Sequence, residues 1–424
     1  MRLEPDLTTS AAIAPRFALY AHDTMGLGHT RRNLLIAHAL IDAIPGATVL
    51  LIAGAGVAGR FDLPPGIDCV SVPSWHKGPE GGYVARSLRV SVDDLRRVRM
   101  AAIDGALRAF DPDLLVVDNV PNGALGELLP VLERLRREGR TRTVLGLRDV
   151  LDGPAAVKRE WRERDNVRTV AEAYDAVWVY GDAAAYDAAE AYGFPFEVRR
   201  KLTYVGLLDA RRRLATSWGG GDAALRVDAV APIDHDPRPL YLGLVGGGQD
   251  GAEVARAFAW AQAPEGARRL LITGPFLPAP MAAELRATAA AQSDLEVACF
   301  VREPSVLIQR AERVVAMGGY NTVAEILAFG APTLIVPRVR PRLEQWERAR
   351  YLARLGLVDV LHPDDVTPEA IEGWWRIPKG RPNAAAVLDL SGLDRIPRLA
   401  LDLLAPSPVA VPRDPTTVDR RVAS

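Results

Sequence analysis

Short apolar runs recur along the chain, each followed by a segment whose apolar residues return every three or four positions. Phe17–Ala21, Thr48–Ala53, Leu114–Val117, Thr143–Leu147 and Ala176–Tyr180 read as strands. These runs do not alternate, as expected of strands covered on both faces. Helices are predicted from about His29 to Ala43, over Gly123–Arg137, and as one long element over Ala156–Ala173. The pattern stops around 209–237, where Arg211-Arg212-Arg213, Gly219-Gly220-Gly221 and Pro232–Pro239 read as a linker. It then restarts, with strands at Pro239–Val245, Arg269–Thr273, Leu295–Phe300, Arg313–Ala316 and Thr333–Val336, and the first helix from about Ala252. Strands alternating with amphipathic helices imply parallel sheets wrapped by helices, an α/β class. The expected organisation is a lead-in at 1–15, one domain at 16–208, the linker at 209–237, a second domain at 238–405 and a tail at 406–424. In doubly wound units ligands sit at the carboxyl ends of the strands, so two facing units place a cleft between them.

Length agrees, since 424 residues exceed one ordinary core. Hydrophobic residues make up 49% and charged residues 25%, and the net charge of −1 points to no nucleic-acid partner. Lysine occurs only at Lys77, Lys158, Lys201 and Lys379, so arginine carries the positive charge. Cys69 and Cys299 lie in apolar, strand-like runs, where a buried free thiol is the usual state. No signal peptide or spanning segment is readable, which predicts a cytoplasmic protein. A peripheral contact with the inner face of a membrane stays open.

Three loops join a strand to a helix with glycines. Met25-Gly26-Leu27-Gly28-His29 follows the first strand, and Gly26 and Gly28 would let backbone amides approach an anion at the helix start. His29 at that positive end is favoured as the neutral imidazole, which can accept a proton; a simple capping role is equally consistent with the spacing. Val245-Gly246-Gly247-Gly248-Gln249-Asp250-Gly251 would suit a diphosphate. Asp250 is awkward beside phosphate and would instead cap the helix. The spacing fits neither a dinucleotide fingerprint nor a P-loop. The third run, Met317-Gly318-Gly319-Tyr320-Asn321-Thr322-Val323-Ala324-Glu325, carries a helical carboxylate that could accept both hydroxyls of a ribose, although the helix dipole alone would explain it. Beyond the following strand come Arg338, Arg340, Arg342, Glu344, Gln345 and Arg348, most of which read as a solvated helix face.

Leu242–Gly251 and Val315–Leu361 resemble the C-terminal domain of glycosyltransferase family 28, and the His29 loop is similar to that family's N-terminal loop. The resemblance implies a glycosyltransferase B fold, with two Rossmann-like domains facing across a cleft. It also implies a nucleoside diphosphate sugar, of the uridine kind, as co-substrate, with no metal and no further cofactor. Residue by residue it makes Glu325 the ribose ligand, with Gly319, Asn321 and Thr322 beside it. Gly247 and Gly248 become the diphosphate loop and Gln345 the donor-sugar contact, with Gln249 and Glu344 also on the donor side. Arg302 falls where the base is met through backbone, and His29 is the base. The chain departs from the family in the extra Asp250, in Glu344-Gln345 where the family has paired glutamines, and in Thr30-Arg31-Arg32 after the first loop.

The expected reaction is attack of an acceptor hydroxyl on the anomeric carbon with inversion, His29 taking the proton and Asp118, at a strand end, orienting it or acting instead. A strand-end turn explains Asp118 at least as well, and Asp149 is a weaker candidate of the same kind. Two rivals are a sugar-nucleotide 2-epimerase of the same fold and a non-catalytic sugar-nucleotide-binding subunit. Asp111-Pro112-Asp113 mimics a metal-binding Asp-x-Asp, but Pro112 in a pre-strand turn favours a structural role. The acceptor is not readable.

Overall fold

A computed structural model describes residues 14–22, 28–54, 63–77, 82–212, 236–247, 250–301 and 303–405. The first sheet contains β1 (Arg16–Tyr20), β2 (Thr48–Gly54), β3 (Ile67–Val72), β6 (Leu114–Asp118), β7 (Arg142–Arg148), β8 (Ala176–Tyr180) and β9 (Leu202–Tyr204), with β4 (Trp75–Lys77) and β5 (Tyr83–Ala85) forming a separate hairpin. Its order is β3-β2-β1-β6-β7-β8-β9 and every pairing is parallel. The second sheet holds β10 (Leu240–Leu244), β11 (Arg268–Ile272), β12 (Leu295–Ala298), β13 (Ala311–Ala316), β14 (Thr333–Ile335) and β15 (Asp359–Val360), in the order β12-β11-β10-β13-β14-β15, also parallel. Each sheet reverses its strand order once, between β1 and β6 and between β10 and β13. Ligands of open parallel sheets gather at such reversals.

The central strands explain the unbroken apolar runs. Phe17, Ala18, Leu19 and Tyr20 of β1, and all five residues of β6, are buried, because helices cover both faces. Helix α1 (Gly28–Ala43) lies against the first sheet and buries Leu34, Ile36 and Ala37.

Three elements depart from the expected pattern. The single helix over Ala156–Ala173 is two, Pro154–Glu163 and Asn166–Ala173, divided where Asp165 adopts φ 52°. The helix expected from Gly123 starts at Leu129, after a tight turn in which Leu125 has φ 52°. Helix Val92–Phe110, capped by the Ser91 hydroxyl accepting the Asp94 amide, was not expected. The domain boundary also moves. The last helix, Gly392–Leu404, puts Leu393, Ile396 and Ala400 into the core that Leu34 and Leu40 of α1 share with β1 and β2. The end of the 238–405 segment thus belongs to the first domain, because that helix carries the apolar face that covers α1. Residues 1–13, 213–235 and 406–424, in the lead-in, linker and tail, lie outside the described residues.

Candidate active site

The loops after β10, β11 and β12 and the helix Tyr320–Phe329 enclose a cavity with about 860 Å³ of empty space, including its open mouth. Gly246 and Gly247 line it after β10, Gly274, Pro275 and Phe276 after β11, and Cys299, Phe300 and Val301 after β12. The helix contributes Asn321, Thr322 and Glu325. The size suits a nucleotide. Gly274 is required by close approach: a Cβ there would stand 2.2 Å from the Gly246 carbonyl oxygen. Sequence reading did not single out Gly274, although a glycine at a strand end is the available signal.

The first domain closes this cavity. Gly28 and Arg31, in the first turn of α1, line it from across the cleft. Asn321 Nδ2 donates to the Gly28 carbonyl at 2.7 Å, and a Cβ on Gly28 would sit 3.0 Å from that nitrogen. The Arg31 guanidinium lies 5.7 Å from the centre of the Phe300 ring, and its Nη2 donates to the Val301 carbonyl at 3.4 Å. Sequence reading passed over Arg31, because an arginine in a helix gives no sign of which domain it faces.

One residue further along α1, His29 lines a second cavity, with about 1020 Å³ of empty space. His22, Tyr83, Asn119, Arg148, Asp152 and Trp161 of the first domain line it too, as do Arg338, Arg342 and Glu344 of the second. His29 Nδ1 is hydrogen-bonded to Asp118 Oδ2. Asp118 ends β6 and is fully buried. Burial would push its carboxyl up, but the Arg32 guanidinium and then His29 hold it well below the usual carboxylate range. The His22 ring lies 4.5 Å from that of His29, centre to centre. Burial first, and His29 next, lower the His22 imidazole well below its ordinary value.

Several expected residues serve other contacts. Asp149 lines neither cavity. Arg348 of the second domain holds it through both carboxylate oxygens at 2.6–3.1 Å, and Tyr351 donates to it at 2.7 Å. Asp250 caps no helix: Gly251 occupies that position, and Asp250 Oδ2 accepts from Arg338 at 2.9 Å. Glu344 and Gln345 do not line the nucleotide-sized cavity. Glu344 is paired with Arg148 at 2.8 Å and Arg338 at 3.1 Å, and Gln345 Oε1 accepts from the Arg338 amide at 2.9 Å. They follow the loop that docks on the first domain, where Asp152 accepts from the Leu343 amide at 2.6 Å. Gly319 precedes the first turn of its helix as the N-cap, outside the cavity lining. Cys299 is exposed at the cavity wall rather than buried, because β12 ends one residue earlier; Cys69 is half-buried, and the two form no disulfide. Asp111 ends a helix and Asp113 accepts the Arg16 amide at 2.7 Å, both structural roles. Gly26, Gly248, Gln249 and Arg302 lie outside the described residues.

Residues 244–373 match the glycosyltransferase family 28 C-terminal domain. A curated relative, the UDP-N-acetylglucosamine--N-acetylmuramyl-(pentapeptide) pyrophosphoryl-undecaprenol N-acetylglucosamine transferase of Acidiphilium cryptum (strain JF-5), is 28% identical over 204 residues, 47% of this chain and 55% of the relative. The chain thus spans about half that relative's length. Among solved structures, Medicago truncatula UGT71G1 complexed with UDP-glucose aligns with a TM-score of 0.60 at 13% identity, over 92% of this chain and 99% of that one. The UDP-GlcNAc 2-epimerase from Neisseria meningitidis bound to UDP-GlcNAc aligns with a TM-score of 0.59 at 10% identity, over 92% and 98%. At such identities the likeness establishes the fold, two Rossmann-like domains facing across a cleft as in glycosyltransferases of the B type. In sequence the chain is glycosyltransferase family 28-like, with that family's C-terminal domain matched over residues 244–373.

Proposed function

We propose that the chain is a metal-independent glycosyltransferase that moves a hexose or N-acetylhexosamine from a UDP-sugar to an acceptor hydroxyl, with inversion. The observation that carries this reading is the adjacency of two cavities along α1: Gly28 lines the one that holds Glu325, and His29 lines the other. The donor's base would lie against Phe300 and Val301, its ribose hydroxyls on Glu325, and its diphosphate over Gly246 and Gly247. Backbone amides and a helix start can hold a diphosphate without a divalent ion. The acceptor would enter the second cavity. Its oxygen attacks the anomeric carbon, the bond to the phosphate oxygen breaks, and the electron pair leaves with the nucleoside diphosphate. The hydroxyl proton passes to His29 Nε2, since Nδ1 is engaged by Asp118.

The place of action belongs to the same reading: the cytoplasm, with a peripheral membrane contact if the acceptor is lipid-borne. Among the described residues no helix is long and apolar enough to cross a membrane. A second reading, a sugar-nucleotide 2-epimerase, draws on the likeness to the Neisseria meningitidis protein. Incubation with UDP-N-acetylglucosamine and no acceptor separates the two, because only an epimerase returns an epimerised sugar nucleotide.

Donor binding is tested by thermal shift. UDP should raise the melting temperature, and Glu325→Ala should remove most of that rise while the fold survives. The loss corresponds to a charge-assisted hydrogen bond, about 1.5–3 kcal/mol. An undiminished rise in folded Glu325→Ala protein would remove Glu325 from the donor site.

A further inference from the structure

In the Thr30-Arg31-Arg32 departure, Arg31 lines the Glu325 cavity and Arg32 turns to the His29–Asp118 pair. Arg32 is 3% exposed, in the second turn of α1. Its Nε donates to Asp118 Oδ1 at 2.8 Å, and its Nη2 reaches Oδ1 and Oδ2, each at 2.6 Å. The same Nη2 is 3.0 Å from His29 Nδ1, which cannot accept from it while donating to Asp118. The guanidinium lies 5.9 Å from the centre of the Tyr180 ring and 5.4 Å from that of Tyr320.

We propose that Arg32 is a positioning residue for the His29–Asp118 pair, which fixes the carboxylate so that it accepts the Nδ1 proton and leaves Nε2 to take the proton of the acceptor. This inference rests on the reading of His29 as the base. Arginine stays protonated throughout the working pH range, so its grip on the carboxylate is permanent. Its planar fork also fixes which carboxylate oxygen faces the ring. With Nδ1–H donated to Oδ2, the lone pair of a neutral ring is on Nε2.

Other charged and titratable groups face the cluster from each packed element, and none replaces Arg32. His22 beyond β1 is a neighbour of the His29 ring, and burial holds it in the neutral form. Arg148 at the end of β7 and Arg99 act on His22. Arg148 is also paired with Glu344, and Arg99 with Glu127 at 2.6 Å. Tyr180 on β8 and Tyr320 are pushed up by burial and stay uncharged. Among the described residues, Arg32 is thus the arginine that meets both oxygens of Asp118.

The test is side-chain nitrogen NMR of the full chain with labelled histidine, which reads ring charge and tautomer without any turnover. The His29 signal is assigned by its loss in His29→Gln. Where the wild-type ring is neutral it should carry its proton on Nδ1. Arg32→Gln should bring the Nε2–H tautomer up beside the Nδ1–H one. Arg32→Lys keeps the charge and loses the fork, so the Nε2–H tautomer should appear there too. A tautomer population unchanged from wild type in these variants would overturn the positioning role, and Arg32→Lys serves alone if Arg32→Gln does not fold. Wild-type protein that turns over no sugar nucleotide would instead defeat the transferase reading and leave these spectra as they are.

Discussion

Asp118 and Asp149 stand at the ends of the adjacent strands β6 and β7, and each is gripped by a buried arginine through both carboxylate oxygens. What surrounds the two pairs differs. Asp118 and Arg32 come from one domain, and the third partner is His29, whose side chain is 22% exposed and opens on a cavity. Asp149 is held from the other domain by Arg348 and Tyr351, and Arg348 also donates to the carbonyls of Gly318 and Val150. Both arginines meet the Tyr320 ring, at 5.4 and 5.6 Å from its centre. The same ion pair therefore appears once beside a histidine that opens on a cavity, and once sealed as a clamp between domains. A strand-end carboxylate is not a catalytic signal by itself; in the proposed reading the cavity-lining partner is what sets Asp118 apart from Asp149.

The largest effect expected from this contrast is on stability, at the sealed pair. Arg348→Ala leaves Asp149 buried and uncompensated, which should cost roughly 3–5 kcal/mol, read by urea unfolding. A loss no larger than an exposed substitution gives would mean that Asp149 is hydrated and the clamp is absent.

A smaller effect, confined to acid, concerns Glu344, which joins the domains beside the His29 cavity. Burial would raise its carboxyl, but Arg148, Arg348, Arg338 and Arg342 outweigh it and hold the group at about 2, against an ordinary 4.5. A group lowered in the folded state stabilises the fold above its unfolded value, and this contribution is lost as pH falls toward the folded one. Wild-type melting temperature should thus decline between pH 4.5 and about 2, and Glu344→Gln should flatten that decline. Equal acid slopes in the two proteins would show that the Glu344 pairing contributes nothing.

Much of this arrangement is legible in sequence, for a physical reason. Doubly covered strands such as Leu114–Val117 must be apolar throughout, and the loops after such strands are where glycines and candidate bases stand, so His29 and Asp118 could be named. Which strand ends face each other could not, because it depends on how the domains pack. Arg32 and Arg348 look like surface arginines in a sequence, and only tertiary structure buries them against Asp118 and Asp149. Glu344 and Gln345 were expected at a donor sugar on family likeness, yet in this chain Arg148 and Arg338 claim the Glu344 carboxylate. The long helix over Ala156–Ala173 failed at Asp165, whose left-handed backbone no periodicity reveals.

In the proposed reaction His29 does chemistry while the opposite domain holds the donor. Its most direct test compares, in wild type and His29→Ala, the calorimetric affinity for UDP and the rate of UDP release from the best-bound sugar nucleotide. The account predicts UDP affinity within a few-fold of wild type and release slowed by ~100-fold or more, the usual scale for removing a positioned general base. Affinity falling in proportion to rate, which would make His29 a donor ligand, or full activity, which would make it a helix cap, would contradict it.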